Sequence, residues 1–306
     1  MKLADHVRRY VETKQQLGYR FEGHAKILRS FVRFAVNDEF ICSHTLLEWA
    51  SQGISRYARV RRLRVAHSFA LWLHAEDSRH AVPPADAFGP YPNTRPAPHL
   101  MSVEQIRTVL SAALGISPAA TITRLTWYCL FGLVAVTGMR LGEAIRLTLD
   151  DVAPDGLFIR ETKFKKSRIV VLAPTTVDQL NRYIAVRNQL GSTDQHLFIL
   201  ASGRPPSAAQ AIAMFRRLTI DTGIRDERAG YRPTLHSLRH SFVVRSLENL
   251  PAGADVNRHI LALATTLGHN GVASTYWYLQ STPVLLNRIA AQTEQDHFNR
   301  LGGYHD

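Results

Sequence analysis

A chain of 306 residues, 45% hydrophobic and 20% charged, has the make-up of a folded protein and the length of about two domains, which excludes disorder as its main state. Lys and Arg number 37 against 25 Asp and Glu, and the resulting net charge of +12 favours a polyanionic partner: DNA, RNA or an anionic membrane surface. The only cysteines, Cys42 and Cys129, lie far apart, which excludes a disulfide framework or a cysteine-built zinc site. The longest uncharged apolar run, Leu125 to Met139, has 15 residues, short of the roughly 20 that span a bilayer. Asp5, Arg8 and Arg9 stand where a signal peptide would be apolar. The expectation is a soluble protein of the reducing cytoplasm.

In chain order, Val7, Tyr10, Val11 and Leu17, then Ile27, Leu28, Phe31 and Phe34, recur at helical spacing. Ser43-His44-Thr45 before Leu46, Leu47 and Trp49 predicts a short capped helix. A fourth helix is expected over 57–76, with Val65, Phe69, Trp72 and Leu73 as its core stripe. Its first half carries Arg56, Arg59, Arg61, Arg62 and Arg64, a density that favours phosphate contact over a solvated face. Six of the 14 prolines fall between Pro83 and Pro98. Such a run reads as an extended linker, giving a helical domain 1–82, a linker 83–99 and a second domain 100–306. Ser102 and Gln105 form a capping-box pattern, and a long helix from 121 breaks at Thr137-Gly138. Residues 157–160 and 168–172 read as two strands around a basic turn. Further helices are expected over 174–189, 207–221, 235–249, 256–266, 270–278 and 283–297. The fold class is mainly α with a small β-hairpin sheet, an α+β second domain behind a helical first one.

Taken singly, the polar residues of the second domain have ordinary readings. Arg140 could pair with Glu143 at a helix end, Lys163 could sit in a solvated turn, and Tyr278 could be a core tyrosine. His236 and His240 have the i, i+4 spacing of zinc ligands. No acid occupies the place that motif needs, and Arg239 beside them repels a cation. No metal and no cofactor are therefore expected.

Taken in order, Thr137-Gly-Met-Arg-Leu-Gly-Glu143, Lys163-Phe-Lys-Lys-Ser-Arg-Ile-Val-Val-Leu172, His236-Ser-Leu-Arg239, Leu267-Gly-His269 and Tyr278 resemble the boxes of the tyrosine recombinase (phage integrase) family. The resemblance covers about residues 100–280. It implies a catalytic set of Arg140, Lys163, His236, Arg239, His269 and Tyr278. Lys163, not Lys165 or Lys166, matches the family lysine. Tyr276 is a second candidate nucleophile, but spacing from His269 favours Tyr278. Gln280 stands where relatives commonly carry histidine. The first domain resembles the family's core-DNA-binding domain only in pattern. Expected DNA contacts are Arg56, Arg59, Arg61, Arg62 and Arg64, with Lys165, Lys166 and Arg168 from the hairpin.

The residue types suit the implied reaction. Attack on a phosphodiester builds charge on its non-bridging oxygens, and fixed guanidiniums stabilise that charge and fork onto it. A phenol with pKa near 10 is almost wholly protonated at neutral pH, so it needs neighbouring cations and an acceptor, for which His236 is the candidate. The family resemblance makes Lys163 the acid that protonates the departing 5′-oxygen. It also implies a 3′-phosphotyrosine intermediate, double-stranded DNA as partner, a tetramer on DNA and companion recombinases acting with it. A mobile-element context follows from the same resemblance, as does the cytoplasm, at the nucleoid. A stripe of Val284, Leu285, Leu286 and Ile289 packs either on its own domain or on a neighbouring subunit. Two other readings remain open: a type IB topoisomerase, which shares the chemistry, and a DNA-binding partner that has lost catalysis.

Overall fold

The computed structural model describes residues 2–19, 21–36, 38–90, 98–154, 156–160, 167–251, 254–268 and 278. The chain divides into two compact units, Met1–Pro96 and Ala97–Asp306.

The described part of the first unit holds four helices: α1 (Leu3–Gln16), α2 (Glu22–Phe34), α3 (Ser43–Ser51) and α4 (Arg56–His74). Their apolar stripes meet in one core. Leu28, Phe31, Leu46, Leu63, Phe69 and Leu73 are wholly buried within it, each contributing about 1.5–3 kcal/mol of apolar transfer free energy. Aromatic rings set the packing, Tyr10 lying 5.3 Å from Phe69 and Phe31 5.2 Å from Trp49. Ser55 caps α4 by accepting from the Ala58 amide at 3.1 Å. Two expectations differ in detail. Leu17 follows the last turn of α1 and is exposed. The cap position of α3 is Cys42, Ser43 being already helical.

The proline-rich segment does not begin as a free linker. Val82 and Phe88 pack on the first unit's core. His67 Nδ1–H donates to the Pro83 carbonyl at 2.9 Å, and Arg56 donates to the Pro90 carbonyl at 3.4 Å. Proline prevents helix there, but its carbonyl still accepts and neighbouring apolar side chains still bury. The first unit accordingly ends at Pro96, beyond the boundary at 82 that composition suggested.

The described part of the second unit holds α5 (Val103–Leu114), α6 (Thr121–Thr137), α7 (Leu141–Arg146), a 3-10 turn (Leu149–Asp151), β1 (Val152–Ala153), β2 (Gly156–Ile159), β3 (Arg168–Val170), α8 (Pro174–Asn188), α9 (Ala208–Asp221), α10 (Leu235–Glu248) and α11 (Val256–Leu267). Helix α6 is apolar nearly all round, as a helix enclosed by others must be, and packs against α5, α8 and α10. Its Thr126 hydroxyl donates to the Ile199 carbonyl at 2.5 Å and bonds the Tyr183 hydroxyl at 3.0 Å, so this buried polar group is satisfied. The capping box at Ser102 forms as its sequence predicts, with Gln105 closing it. The strands make one antiparallel sheet in the order β1-β2-β3, with Leu157 opposite Val170 and Ile159 opposite Arg168. Leu157, Ile159 and Val170 face the core while Phe158 and Ile169 face out, the alternation that a one-sided sheet demands. Strand β1, two residues long, adds to the two strands expected. Among the described residues, no helix is long and apolar enough to cross a membrane.

Candidate active site

The site is assembled where the ends of α6 and α11 meet the start of β3. Helix α6 ends at Gly138, whose φ of +63° suits glycine. A side chain there would strike Phe242 at 2.4 Å and Leu267 at 2.9 Å, so the turn that delivers Arg140 requires a residue with no Cβ. Arg140 then sits at the N-cap of α7. The Glu143 carboxylate accepts from the Arg140 amide at 3.0 Å and from its guanidinium at 2.9 Å. Arg168, at the start of β3, forks onto the same carboxylate at 2.7 and 3.4 Å. Helix α11 ends at Gly268, also left-handed, where an added Cβ would lie 2.8 Å from Arg168 and 3.4 Å from Arg140.

The last carbonyls of a helix lack intrahelical partners and carry the negative end of its dipole. At the end of α11 those carbonyls are taken by arginines. Arg168 donates to Thr266 at 2.7 Å, Arg239 to Leu267 at 3.0 Å, and Arg140 to Gly268 at 3.0 Å and Leu267 at 3.4 Å. Arg239 also donates to the Gly138 carbonyl at 2.6 Å, which ties α10 to the end of α6. Two guanidiniums, those of Arg140 and Arg168, thus share one buried carboxylate, and all three share a set of backbone dipoles. Burial pushes the Glu143 carboxyl up, but hydrogen bonds from Arg168 and Arg140 outweigh it, leaving the group below its ordinary value. Burial and the like charge of Arg140 pull Arg239 down to about 10, still cationic at neutral pH. Arg140 keeps 32% of its side chain exposed against 9% for Arg168. It is therefore the guanidinium of that pair placed to meet a ligand.

Helix α10 presents His236, Arg239 and His240 at i, i+3 and i+4, neighbours on one face. His236 is exposed and borders a cavity of about 440 Å³ that Met139, Phe215 and Arg216 also line. His240 is buried, with its ring edge-on to that of His236 at 4.3 Å. Its Nδ1 lies 2.7 Å from the Tyr278 hydroxyl. Tyr278 is 2% exposed, covered by Val243, Val244, Leu247, Ile260, Leu263 and Leu267. In its ionised form Tyr278 opposes the fall of the Arg239 pKa that burial and Arg140 cause.

Of the six residues singled out by resemblance, the structure gathers Arg140, Arg239 and Tyr278, with His236 one ring away through His240. Lys163 and His269 lie outside the described residues, as do Lys165, Lys166 and Tyr276 and the helices expected over 270–278 and 283–297, Tyr278 excepted. Arg168, an expected DNA contact, has its guanidinium almost enclosed and its N–H groups directed at Glu143 and Thr266. By spacing alone His240 reads only as half of a zinc-ligand pair and Glu143 only as an ion-pair partner of Arg140. The signal for His240 was its place one turn after His236 on the same helix face.

The arginines of α4 have other surroundings. Arg59 donates to the Gly53 carbonyl and Arg62 to the Trp49 carbonyl, each at 3.0 Å, so both tie α4 to the end of α3. Arg61 and Arg64 border an open cavity of about 630 Å³ with Lys14, His24, Tyr10 and Tyr19.

Comparison with known proteins places this chain in a family. Residues 100–283 match the model of the phage integrase family, and the chain belongs to that family. The protein named "Putative integrase/recombinase y4rB" of Sinorhizobium fredii is 34% identical over 304 residues, covering 94% of this chain and 96% of the relative. Tyrosine recombinase XerD of Brucella abortus is 27% identical over 259 residues, covering 83% and 80%. Among solved structures, the integrase of transposon Tn1549 in complex with transposon right-end DNA superposes with a TM-score of 0.67 at 17% identity, covering 96% of this chain and 99% of that one. That likeness establishes the shared fold.

Proposed function

We propose that the protein is a site-specific DNA recombinase that cleaves and rejoins double-stranded DNA through a 3′-phosphotyrosine formed on Tyr278. The observation that carries this proposal is the placement of the Tyr278 phenol, hydrogen-bonded to His240 of α10, the same helix turn whose Arg239 joins the guanidinium cluster at the end of α11.

The chemistry follows from the arrangement. A scissile phosphate enters on the open side of Arg140 and is clamped by Arg140 and Arg239, whose orientation is already fixed by carbonyls and Glu143. The phenol proton leaves toward the His240–His236 pair, the phenol oxygen bonds to phosphorus, and the phosphorus–5′-oxygen bond breaks. Lys163 delivers the proton that the 5′-oxygen needs, and His269 hydrogen-bonds the phosphate oxygens; both roles rest on family resemblance. The new ester conserves the energy of the broken bond, so the 5′-hydroxyl of another strand can reverse the step without a nucleotide cofactor.

The basic α4 supports a DNA-clamping role for the first unit, with Arg61 and Arg64 on phosphates. Resemblance supports a tetramer on DNA, working in the cytoplasm at the nucleoid, with companion recombinases. The transposon integrase with the same fold supports a mobile-element context.

The test is a duplex nicked just beyond the scissile phosphate, which traps the covalent complex because the short 5′ fragment diffuses away. The protein should form a denaturation-resistant DNA adduct, lost in Tyr278→Phe and kept in Tyr276→Phe. An adduct that survives Tyr278→Phe overturns the assignment.

A further inference from the structure

We infer that His240 is a further catalytic residue of this centre, holding the reacting oxygen of Tyr278 through Nδ1 in both its phenol and phenolate forms. The inference deepens the proposed recombinase reaction and rests on it. Three features converge on His240. Its Nδ1 is 2.7 Å from the phenol oxygen, and both side chains are buried, at 8% and 2% exposure. In such surroundings a hydrogen bond is directional and costly to lose. Tyr278 shares an apolar cluster with side chains of α10 and α11, but dispersion contacts do not aim an oxygen, whereas the bond to Nδ1 does. The edge-on contact with His236 at 4.3 Å restrains the His240 ring plane, so the donor direction is set before DNA arrives.

Imidazole suits the task because it can switch roles. While the phenol keeps its proton, O–H donates to Nδ1 and Nε2 carries the imidazole hydrogen. Once the phenol proton crosses to Nδ1 for attack, the imidazolium Nδ1–H donates to the phenolate instead. The oxygen therefore keeps one partner across the change in charge. Helix α10 then supplies three functions in one turn: exposed His236 toward solvent, Arg239 onto the phosphate, and His240 beneath the nucleophile.

The test compares His240→Leu, which fills the space without a hydrogen bond, with His240→Asn, whose amide places a group near the Nδ1 position that can accept or donate. Single-turnover cleavage of the nicked duplex is the rate readout, with affinity for intact DNA measured alongside. The nucleophile is observed directly by fluorine NMR of protein carrying 3-fluorotyrosine at position 278. We expect His240→Leu to cleave about tenfold or more slowly with unchanged DNA affinity and a displaced fluorine resonance, and His240→Asn to recover most of the rate and resonance position. Cleavage by His240→Leu at or above the wild-type rate overturns the inference, because the contact would then be dispensable or would only store the tyrosine. Should His240→Leu fail to fold, a His240→Asn protein as impaired as His240→Ala overturns it equally. Failure of the wild-type protein to form any adduct would instead refute the recombinase proposal itself, so the two failures are distinguishable.

Discussion

The arginines of α4 and those around the end of α11 are the same side chain in opposite surroundings. On α4, Arg61 and Arg64 stand at the rim of an open cavity, while Arg59 and Arg62 each spend a bond on a carbonyl at the end of α3. Around α11, Arg140, Arg168 and Arg239 converge on three successive carbonyls, and the first two also bond the buried Glu143. Exposed charge is screened by salt and adaptable, which suits tracking a polyanion. Enclosed charge with its donors already aimed needs no reorganisation when a phosphate acquires extra charge. One unit therefore holds arginines suited to affinity and the other holds arginines suited to rate.

Substitutions should separate these roles. The largest effect belongs to Arg239→Met. Cleavage of the nicked duplex should fall by about 10²–10³-fold, the usual cost of removing an aligned charge-stabilising donor, with intact-duplex affinity changed far less. Equal losses of rate and affinity would show that Arg239 only binds. Next, Glu143→Ala removes the carboxylate that Arg140 and Arg168 share and should destabilise the second unit by about 3–5 kcal/mol in urea denaturation. The same group predicts an acid response. Its folded pKa lies below the ordinary 4.5, so its stabilisation is complete above that value and is lost as pH falls through the folded pKa. Glu143→Gln should flatten the stability profile below about pH 4.5, whereas an unchanged profile would deny the lowered pKa. Arg168→Met should lower stability without changing the salt dependence of DNA binding. A reduced salt slope would return Arg168 to the DNA surface. The smallest effects belong to Arg61→Ala and Arg64→Ala. Each should reduce the slope of log affinity against log salt by about 1 with stability within about 0.5 kcal/mol of wild type.

The sequence made the helices legible because amphipathic stripes and caps are local. The Ser102 box, the break at Gly138 and the stripe of Phe69 and Leu73 all depend on residues within a turn or two of each other. What it hid depends on distant partners. Arg168 looks like one more turn cation until Glu143, 25 positions away, and Thr266, 98 away, close over it. His240 gains its meaning only when Tyr278, 38 positions on, is folded onto it. Strand β1 was hidden because two residues give no alternation to read. The proline run suggested a linker because proline reports on helix and not on burial, and Phe88 packs regardless. The family resemblance carried by the order of the boxes pointed to Arg140, Arg239 and Tyr278, positions far apart in sequence that the fold brings around the end of α11 and one face of α10.

The central claim is that a phosphate ester is handed to one phenol held in a fixed cationic setting. The most direct measurement is mass spectrometry of the trapped adduct after nuclease and protease digestion, locating the residue that retains the 3′-nucleotide. The account predicts the nucleotide on Tyr278 alone. A nucleotide on Tyr276, on a serine, or on no residue would contradict it.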